Sequence, residues 1–333
     1  MRFYSLIIPV HNRPHEIEEV MACLVTQTFK HFELIIVESG STVRSDEVIN
    51  KYKDQLTIQH LTAGNDGQGF SRNLGMKHAK GDYFVILDSD ILLDNDYLEN
   101  LDKALNSNYL DCFGGPDKAH ASFTDFQKAV DHVMTSFLTT GGIRGGKKQV
   151  DKFQPRSFNM GFSREVYDKT QGFKLPYFAE DLELSRRIES LGFKTGLIPE
   201  AYVYHKRKTD LKGVWKQMHF FGKARVNMFL LFPDTLKITH FFPTVFSLYT
   251  IFCVLLFTWH TTTLRDWAIR LQAPLLIYLI LIVITGVKKY NLKVGIISIA
   301  TLFTQMFAYG HGFLTDFINR VIFNDKTSTK NKN

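Results

Sequence analysis

The chain has 333 residues, 45% of them hydrophobic and 14% aromatic, which is enough apolar material for one large domain or two ordinary ones. Its net charge of +7 is unevenly spread, because from Lys212 onward there are 14 Lys and Arg against 4 Asp and Glu. Its three cysteines are widely separated, which excludes a cysteine metal site or a disulfide framework and indicates a reducing compartment. The first apolar run ends at Pro9 and is too short for a signal peptide, so we expect the first part to stay in the cytosol.

Short β-rich runs alternate with helical stretches over residues 3–113. Continuous apolar strands separated by helices are typical of a parallel sheet covered on both faces. Ligands bind such sheets beyond the carboxyl ends of the strands. Three polar segments are predicted to meet at that edge, and they are Pro9-Val10-His11-Asn12, Glu38-Ser39-Gly40-Ser41 and Asp88-Ser89-Asp90.

The buried strand "YFVIL" ends in two carboxylates, Asp88 and Asp90. Capping of the next helix would be a structural reason for them, but Asp94 and Asn95 already stand where that helix begins. Hard carboxylate oxygens at this spacing suit Mg²⁺ or Mn²⁺, either of which would bring phosphates with it. A D-x-D triplet is common by chance, and its place after a buried strand strengthens the metal interpretation.

A second acidic pair, Glu180-Asp181, opens the helical segment "LELSRRIESLG". Acids in a first turn stabilise the helix dipole, and this alone could explain both residues. Alternatively, one of them is a general base facing the metal site. His205 follows "AYVY" and is either structural or completes the metal site, where it would contact the ion or a phosphate. The Gly-rich, basic segment 139–152 is predicted to be either a solvated linker or a closing lid.

The sequence changes character from Val214. Apolar residues fall on one helical face and basic residues on another, so we predict a basic amphipathic helix at the membrane interface or packed on protein. Its apolar face comprises Val214, Met218, Phe221, Ala224, Met228 and Phe232. A nucleic-acid partner is not expected, because the basic residues alternate with long apolar runs and do not form a groove.

Three apolar stretches follow, at about 238–258, 272–287 and 294–313. The first is long enough to cross a bilayer. Two crossings would put the basic loop around Lys288 and Lys293 on the cytosolic side, as the positive-inside rule favours, whereas a third would leave the tail outside. We therefore predict two or three transmembrane or re-entrant helices.

Four segments together resemble the family 2 glycosyltransferases, in the order and spacing of that family. They cover about residues 3–225 and read "SLIIPVHNRPHEIEEVMACLVTQTFKHFELIIVESGS", "GFSRNLGMKHAKGDYFVILDSDILL", "FNMGFSREVYDKTQGF" and "PYFAEDLELSRRIESLGFKTGLIPEAYVYH". The resemblance implies a GT-A fold, a Rossmann-like α/β architecture with a mixed, mostly parallel sheet, and inverting transfer of a sugar from a nucleotide-diphosphate donor. The C-terminal region resembles that of the membrane-attached members only in its general apolar character.

The resemblance also implies roles for individual residues. Asp181 would be the catalytic base and Glu180 would orient it or touch the acceptor, while Mn²⁺ or Mg²⁺ would be held by Asp88, Asp90 and His205. The donor would contact a set of residues at the strand ends and in the following helix. That set is Pro9, Val10, His11, Asn12, Glu38, Ser39, Arg72, Asn73, Asp88 and Ser89.

Two departures from the family pattern bear on the donor and on the type of enzyme. The usual D-D-G-S reads Glu38-Ser39-Gly40-Ser41, so the base of the donor stays open, and the Q-x-x-R-W motif of processive synthases is absent at Gln217. We therefore expect a non-processive enzyme at the cytosolic face of a bacterial inner membrane. It would glycosylate a lipid-linked saccharide in surface polysaccharide synthesis. Polyprenyl phosphate is an alternative acceptor, and a non-catalytic nucleotide-sugar-binding protein is an alternative of another class.

The predicted organisation has four parts. Residues 1–211 form the nucleotide-sugar domain, 212–237 the amphipathic interface segment, 238–315 the apolar helices and 316–333 a polar tail.

Overall fold

The computed structural model describes residues 1–142, 153–257 and 262–325. The Gly-rich segment predicted at 139–152 therefore lies mostly outside the described residues. The chain forms two compact units, each described by itself. The sheet unit is Met1–Ser122 with Gly141–Lys206, and the helical unit is Phe123–Thr140 with Arg207–Asn333. Residues 123–140 lie inside the predicted 1–211 domain, but in the structure they pack with the helical unit.

Among the described residues, ten strands belong to the sheet unit. In chain order they are β1 (Tyr4–Val10), β2 (Phe32–Ser39), β3 (Ile58–Ala63), β4 (Tyr83–Leu87), β5 (Ile91–Leu92), β6 (Cys112–Gly114), β7 (Asp117–Lys118), β8 (Asn159–Ser163), β9 (Thr195–Leu197) and β10 (Val203–His205). The main sheet has the order β3-β2-β1-β4-β8-β6-β9, and β5, β10 and β7 form a small second sheet. Only β8 runs antiparallel to its neighbours in the main sheet, which confirms a mixed, mostly parallel sheet.

Twelve α-helices accompany the strands in the described residues. They are α1 (Pro14–Val25), α2 (Asp46–Asn50), α3 (Gln68–His78), α4 (Tyr97–Ser107), α5 (Asp125–Thr135), α6 (Phe137–Thr140), α7 (Arg164–Thr170), α8 (Glu180–Ser190), α9 (Leu211–Leu231), α10 (Phe242–Phe257), α11 (Thr262–Lys289) and α12 (Leu292–Phe317). Those from α5, α6 and α9 to α12 belong to the helical unit.

The main sheet is buried on both faces because its strands are apolar at successive positions. Leu34 and Ile36 of β2 belong to one core cluster, whereas Ile35 and Val37 belong to the other. Alternate side chains of a strand point to opposite faces, so a continuous apolar run supplies both cores. The sequence pattern therefore correctly predicted a two-sided sheet.

Strand register brings the polar strand ends to one edge. Val10 at the end of β1 is paired with Glu38 of β2, and Ile7 is paired with Ile86 of β4. Because β1, β2 and β4 are parallel, their carboxyl ends lie side by side. His205 reaches the same edge through the small sheet, where it is paired with Ile91 of β5.

In the helical unit the predicted amphipathic helix is α9, and its apolar face is covered by protein. Val214 and Met218 are buried against α5 and α12 in a cluster that includes Ala308. Gly222 of α9 lies so close to α12 that an added Cβ would be 2.3 Å from the Tyr309 carbonyl oxygen. Of the two alternatives for this face, packing on protein is the one that the structure shows, since a helical apolar stripe is buried as well by a neighbouring helix as by lipid.

Three helical segments of this unit are long and apolar enough to cross a membrane. They are Ile238–Leu256, Ile269–Lys289 and Leu292–Ile322. Many large apolar side chains of α10 and α11 are exposed, including Leu248, Val254 and Ile277. Exposed apolar surface of this extent is typical of a membrane-contacting region.

Candidate active site

Three side chains predicted as metal ligands lie together in the sheet unit. Asp88 follows β4, Asp90 precedes β5, and His205 is the last residue of β10. One ligand atom from each of the three lies within 4.8 Å of the others. Two carboxylates and an imidazole fit a divalent ion such as Mn²⁺, which accepts hard oxygen ligands together with nitrogen.

His205 is held in one orientation by its neighbours. Its Nε2 lies 3.2 Å from Oδ1 of Asp90, and its Nδ1 lies 3.6 Å from Oδ2 of Asp117. The ring of Phe158 stacks on the imidazole with centroids 5.1 Å apart. A carboxylate beside one ring nitrogen favours the tautomer in which the other nitrogen offers its lone pair to an ion. Asp117 was not predicted from the sequence, because only the pairing of β7 with β10 brings it here.

Asp90 also has a cationic neighbour, Arg13. Nη1 of Arg13 donates to Oδ2 of Asp90 at 3.1 Å, and the same nitrogen donates to Glu16 at 3.1 Å. The hydroxyl of Ser89 donates to Glu16 as well, at 3.1 Å. Arg13 was not predicted as a site residue, although it follows Asn12 directly at a predicted strand end, where site residues were expected. An ion bound by Asp90 would compete with this guanidinium.

The second acidic pair opens α8 after an unusual turn. Phe178 and Ala179 both have left-handed backbone, with φ of 57° and 69°, which side chains rarely adopt and which marks a constrained position. Oδ1 of Asp181 accepts from the Leu182 amide at 2.8 Å, and its Oδ2 from the Ser157 amide at 3.4 Å. These bonds fix the direction of the Asp181 carboxylate.

Glu180 differs sharply from its neighbour because it is buried, with only 3% of its surface exposed. Its Oε1 accepts from Gln68 at 2.6 Å and from Arg72 at 2.9 Å. Burial and the adjacent Asp181 carboxylate raise the pKa of Glu180 to about 7, although the Arg72 guanidinium opposes the shift. Asp181 is the more accessible of the two acids.

Arg72 connects the two acidic pairs. Its side chain is fully buried, and Nη2 donates to Oδ1 of Asp88 at 2.8 Å while Nη1 donates to Glu180. Arg72 was expected to face the ribose or the phosphates of the donor; in the structure its buried guanidinium bonds these two carboxylates. Asn73, also expected at the donor, uses both amide groups on the backbone of Phe173, at 2.7 and 2.8 Å. Buried polar groups need partners, and here protein supplies them.

The side chains of Glu38 and Ser39, which were also predicted to contact the donor, are buried and bonded to protein. Glu38 is completely buried, and its Oε2 accepts from the Ser45 amide at 3.1 Å. The Ser39 hydroxyl donates to the Gly64 carbonyl at 3.0 Å. With Ser89, which bonds Glu16, these residues shape the loops of the edge and do not present free side chains to a ligand.

The residues at and after the end of β1, which were predicted to contact the donor, include exposed side chains. Pro9 is half-buried and Val10 buried, whereas His11 and Asn12 are exposed. Nδ1 of His11 lies 2.6 Å from the Ser39 carbonyl oxygen. Oδ1 of Asn12 accepts from the amides of residues 42 and 43, both at 2.8 Å, so this exposed pair braces the loop after β2.

Comparison with known proteins agrees with this geometry. A model described as glycosyl transferase family 2 matches residues 5–170. An uncharacterised glycosyltransferase of Haemophilus influenzae is 35% identical over 112 residues, covering 33% of this chain and 45% of that protein. The poly(ribitol-phosphate) beta-N-acetylglucosaminyltransferase TarS of Staphylococcus aureus is 27% identical over 115 residues, covering 33% and 20%. The chain thus spans less than half the length of these curated relatives.

A solved structure extends the likeness to nearly the whole chain. It is the mannosyltransferase PcManGT from Pyrobaculum calidifontis in complex with GDP-Man and Mn²⁺, with a TM-score of 0.58 and 14% identity over 98% of this chain and 88% of that one. At such low identity the likeness concerns the fold alone, and it agrees with the GT-A fold predicted from the sequence. Over residues 5–170 this chain belongs to glycosyl transferase family 2.

Proposed function

We propose that this protein is an inverting, non-processive glycosyltransferase that moves a sugar from a nucleotide-diphosphate donor to a lipid-linked saccharide. The observation that carries the proposal is the meeting of two chemically different acid sets in one unit. Asp88, Asp90 and His205 form a cation-binding group, and a buried arginine links Asp88 to the Glu180-Asp181 pair. Family membership places glycosyl transfer first among reactions that need both sets.

The geometry supports Asp181 as the general base. Its carboxylate is held by two backbone amides and remains more accessible than Glu180, so it can reach an acceptor hydroxyl. It would take the hydroxyl proton as that oxygen attacks the anomeric carbon from the face opposite the leaving diphosphate. Glu180 cannot easily serve this role, because Gln68 and Arg72 hold it in a buried position.

Asp88, Asp90 and His205 would hold Mn²⁺ or Mg²⁺. A divalent ion there supplies positive charge for the diphosphate oxygens of the donor. The protein's own part is to present the carboxylates and to fix the imidazole through Asp117. The exposed end of β1, at His11 and Asn12, would line the nucleoside side of the donor.

The helical unit supports a membrane-bound acceptor. Its exposed apolar side chains on α10 and α11 suit acyl chains, and a lipid-linked saccharide would be presented at that surface. We place the enzyme at a bacterial inner membrane with residues 1–211 on the cytosolic side, in surface polysaccharide synthesis. Residues 212–237 would lead into membrane helices within 238–315, followed by the tail 316–333.

The test uses the purified full-length protein in detergent, first screened by thermal shift against nucleotide sugars with Mn²⁺. One donor is expected to raise the melting temperature, and release of nucleoside diphosphate is expected with a lipid-linked saccharide acceptor. Asp181→Asn should bind that donor normally while turnover falls by about 10²-fold or more. Asp168→Asn, an exposed acid, serves as the matched control.

Each other outcome has a meaning. Donor binding without any release of nucleoside diphosphate would favour a non-catalytic binding protein. Turnover that survives Asp181→Asn would favour polyprenyl phosphate as the acceptor, because a phosphate oxygen is already ionised and needs no strong base.

A further inference from the structure

Arg72 is placed between the two acid sets in a way that only an arginine can achieve. Its fully buried guanidinium donates from Nη2 to Asp88 at 2.8 Å and from Nη1 to Glu180 at 2.9 Å. Phe173 covers the guanidinium with its ring centroid 5.4 Å away. A planar, forked guanidinium can hold two carboxylates in fixed directions, whereas an ammonium acts as a point charge.

We propose that Arg72 is a positioning residue that holds the cation-binding side and the acceptor side of the site in one arrangement. The inference rests on the proposed function. Arg72 binds Oδ1 of Asp88, which leaves Oδ2 to face an ion, and it binds Oε1 of Glu180, next to the base Asp181. Movement of either carboxylate would therefore be transmitted to the other through one rigid group.

A purely stabilising role accounts less well for this arrangement. Burying a guanidinium carries a desolvation cost, and buried ion pairs often add nothing to stability compared with apolar residues of similar size. Arg72 instead sits at the one point where Asp88, a proposed ligand, and Glu180, neighbour of the proposed base, can both be reached. We therefore expect Arg72 to act by fixing the directions of the two carboxylates. Its replacement should lower turnover more than it lowers the stability of the fold.

The experiment compares Arg72→Lys with Arg164→Lys in the full-length enzyme. Arg164 is a partly buried arginine that donates to the carbonyls of Ala79 and Gly81 and touches none of the acids. Arg72→Lys should fold, lose about 10²-fold in kcat and need more Mn²⁺ for half-maximal donor binding. Arg164→Lys should keep kcat and the Mn²⁺ requirement, whatever its effect on melting temperature.

A double-mutant cycle with Glu180→Gln completes the test. If Arg72 acts through Glu180, the double variant should be little slower than the worse single variant. The proposal is overturned if folded Arg72→Lys keeps wild-type kcat and Mn²⁺ requirement, or if the two losses multiply. Failure of the wild-type enzyme with every donor and acceptor would instead overturn the proposed function.

A second inference concerns the helical unit and rests on independent contacts. Helices α10 and α11 form an antiparallel hairpin, because Phe246 contacts Tyr278 with ring centroids 5.9 Å apart and Gln272 donates to the Cys253 carbonyl at 3.0 Å. We call the Phe246–Tyr278 pair the hairpin contact. Phe257 at the end of α10 and Thr262 at the start of α11 lie at the far end of this hairpin, and Phe242 and Lys289 lie at its base.

Among the described residues whose contacts are given, helix α12 meets the hairpin from its base up to the hairpin contact, where the rings of Phe303 and Phe246 have centroids 5.8 Å apart. Gly295 packs against Gly286, and the Gly310 carbonyl accepts from Thr244 at 3.3 Å. These two α12 residues are about 22 Å apart along their helix. Their partners lie about 12 Å and about 3 Å below the hairpin contact, so α12 rises only about 9 Å along the hairpin axis. After Phe303, therefore, α12 does not follow the hairpin towards its far end.

The second half of α12 is also polar where a spanning helix would be apolar. Asp316 is buried in an ion pair with Arg320 at 3.2 Å, and Arg320 donates to Asn227 of α9 at 3.1 Å. Charged groups at the bilayer centre are costly, so this half of α12 fits a position with α9 at the membrane face. We infer that, of the described helices, α10 and α11 enter the bilayer while α12 does not cross it, and that the end of α12 lies on the side of the base.

Protease protection of tags at the N- and C-termini tests this inference, which assumes the membrane attachment and the cytosolic orientation proposed above. In sealed right-side-out vesicles both tags should be protected, and in inverted vesicles both should be cleaved. Opposite sidedness of the two tags would show an odd number of crossings and overturn the inference. Recovery of the protein in the soluble fraction would overturn membrane attachment itself.

Discussion

Oδ2 of Asp117 lies 3.6 Å from Nδ1 of His205, on the side of the imidazole away from Asp90. The Asp117 side chain is completely buried, so its charge acts on the imidazole with little screening. The relationship makes Asp117 the orienting partner of a proposed metal ligand.

Replacing Asp117 by Asn should weaken cation binding because the imidazole loses its charged partner. We expect the affinity for Mn²⁺ in the presence of the nucleoside diphosphate to fall about 10- to 100-fold. Titration calorimetry measures this directly, and Asp54→Asn, an exposed acid in the same unit, is the control. An unchanged Mn²⁺ affinity would mean that Asp117 does not orient His205.

Replacing Arg13 by Met should make the protein depend more on the cation. Arg13 lies 3.1 Å from Asp90 and partly neutralises the acid group, so without it the repulsion between Asp88 and Asp90 increases. The pair is partly exposed, so the loss without metal should be about 1 kcal/mol or less. We expect the increase in melting temperature on adding Mn²⁺ to exceed that of wild type. Equal increases would contradict competition between Arg13 and the cation.

The raised pKa of Glu180 predicts a pH-dependent stability. A carboxyl whose pKa rises from 4.5 unfolded to about 7 folded stabilises the fold below the lower value and loses that contribution as pH rises through the higher one. Glu180→Gln imitates the protonated form, so its melting temperature relative to wild type should increase between pH 5 and pH 8. Melting curves of metal-free protein provide the measurement, and a decrease would contradict the burial argument.

Asp131 predicts a large stability effect in the helical unit. Its buried carboxylate accepts from Arg207 at 3.3 Å, Lys289 at 2.8 Å and Tyr290 at 2.7 Å. Asp131→Asn removes the buried negative charge that faces Arg207 and Lys289, and removing one member of a buried ion pair costs roughly 3–5 kcal/mol.

The matched control for Asp131 is Asp125→Asn, on the same helix. Asp125 pairs with Lys293 at 3.0 Å, but the lysine side chain is 75% exposed, so solvent screens this pair and its loss should lower the melting temperature far less than the loss of Asp131. Similar melting temperatures for the two variants would show that burial does not decide their difference.

The sequence was sufficient for the sheet and for the three proposed metal ligands, because both depend on local signals. Runs such as "ELIIVE" are apolar at successive positions, which only a two-sided sheet can bury, and parallel strands necessarily end at one edge. Acids placed directly after such strands must come together there. Asp88 and Asp90 were therefore expected at this edge from the sequence pattern. The family resemblance implied His205 as a third metal ligand.

Contacts between distant segments could not be predicted in this way. Asn73 was expected at the donor but bonds Phe173, a residue 100 positions later, and Asp117 meets His205 only through pairing of β7 with β10. The apolar face of α9 could equally have met lipid or protein, since its pattern is the same for both.

By itself, then, the order of apolar and acidic residues determined a mostly parallel, two-sided sheet with a carboxylate edge, because strand alternation and strand polarity are properties of neighbouring positions; the GT-A fold was implied by the family resemblance. Only the tertiary structure decided which polar groups face one another. Arg72 was expected at a ligand and lies instead between Asp88 and Glu180, since a buried guanidinium takes the strongest acceptors that packing brings within reach.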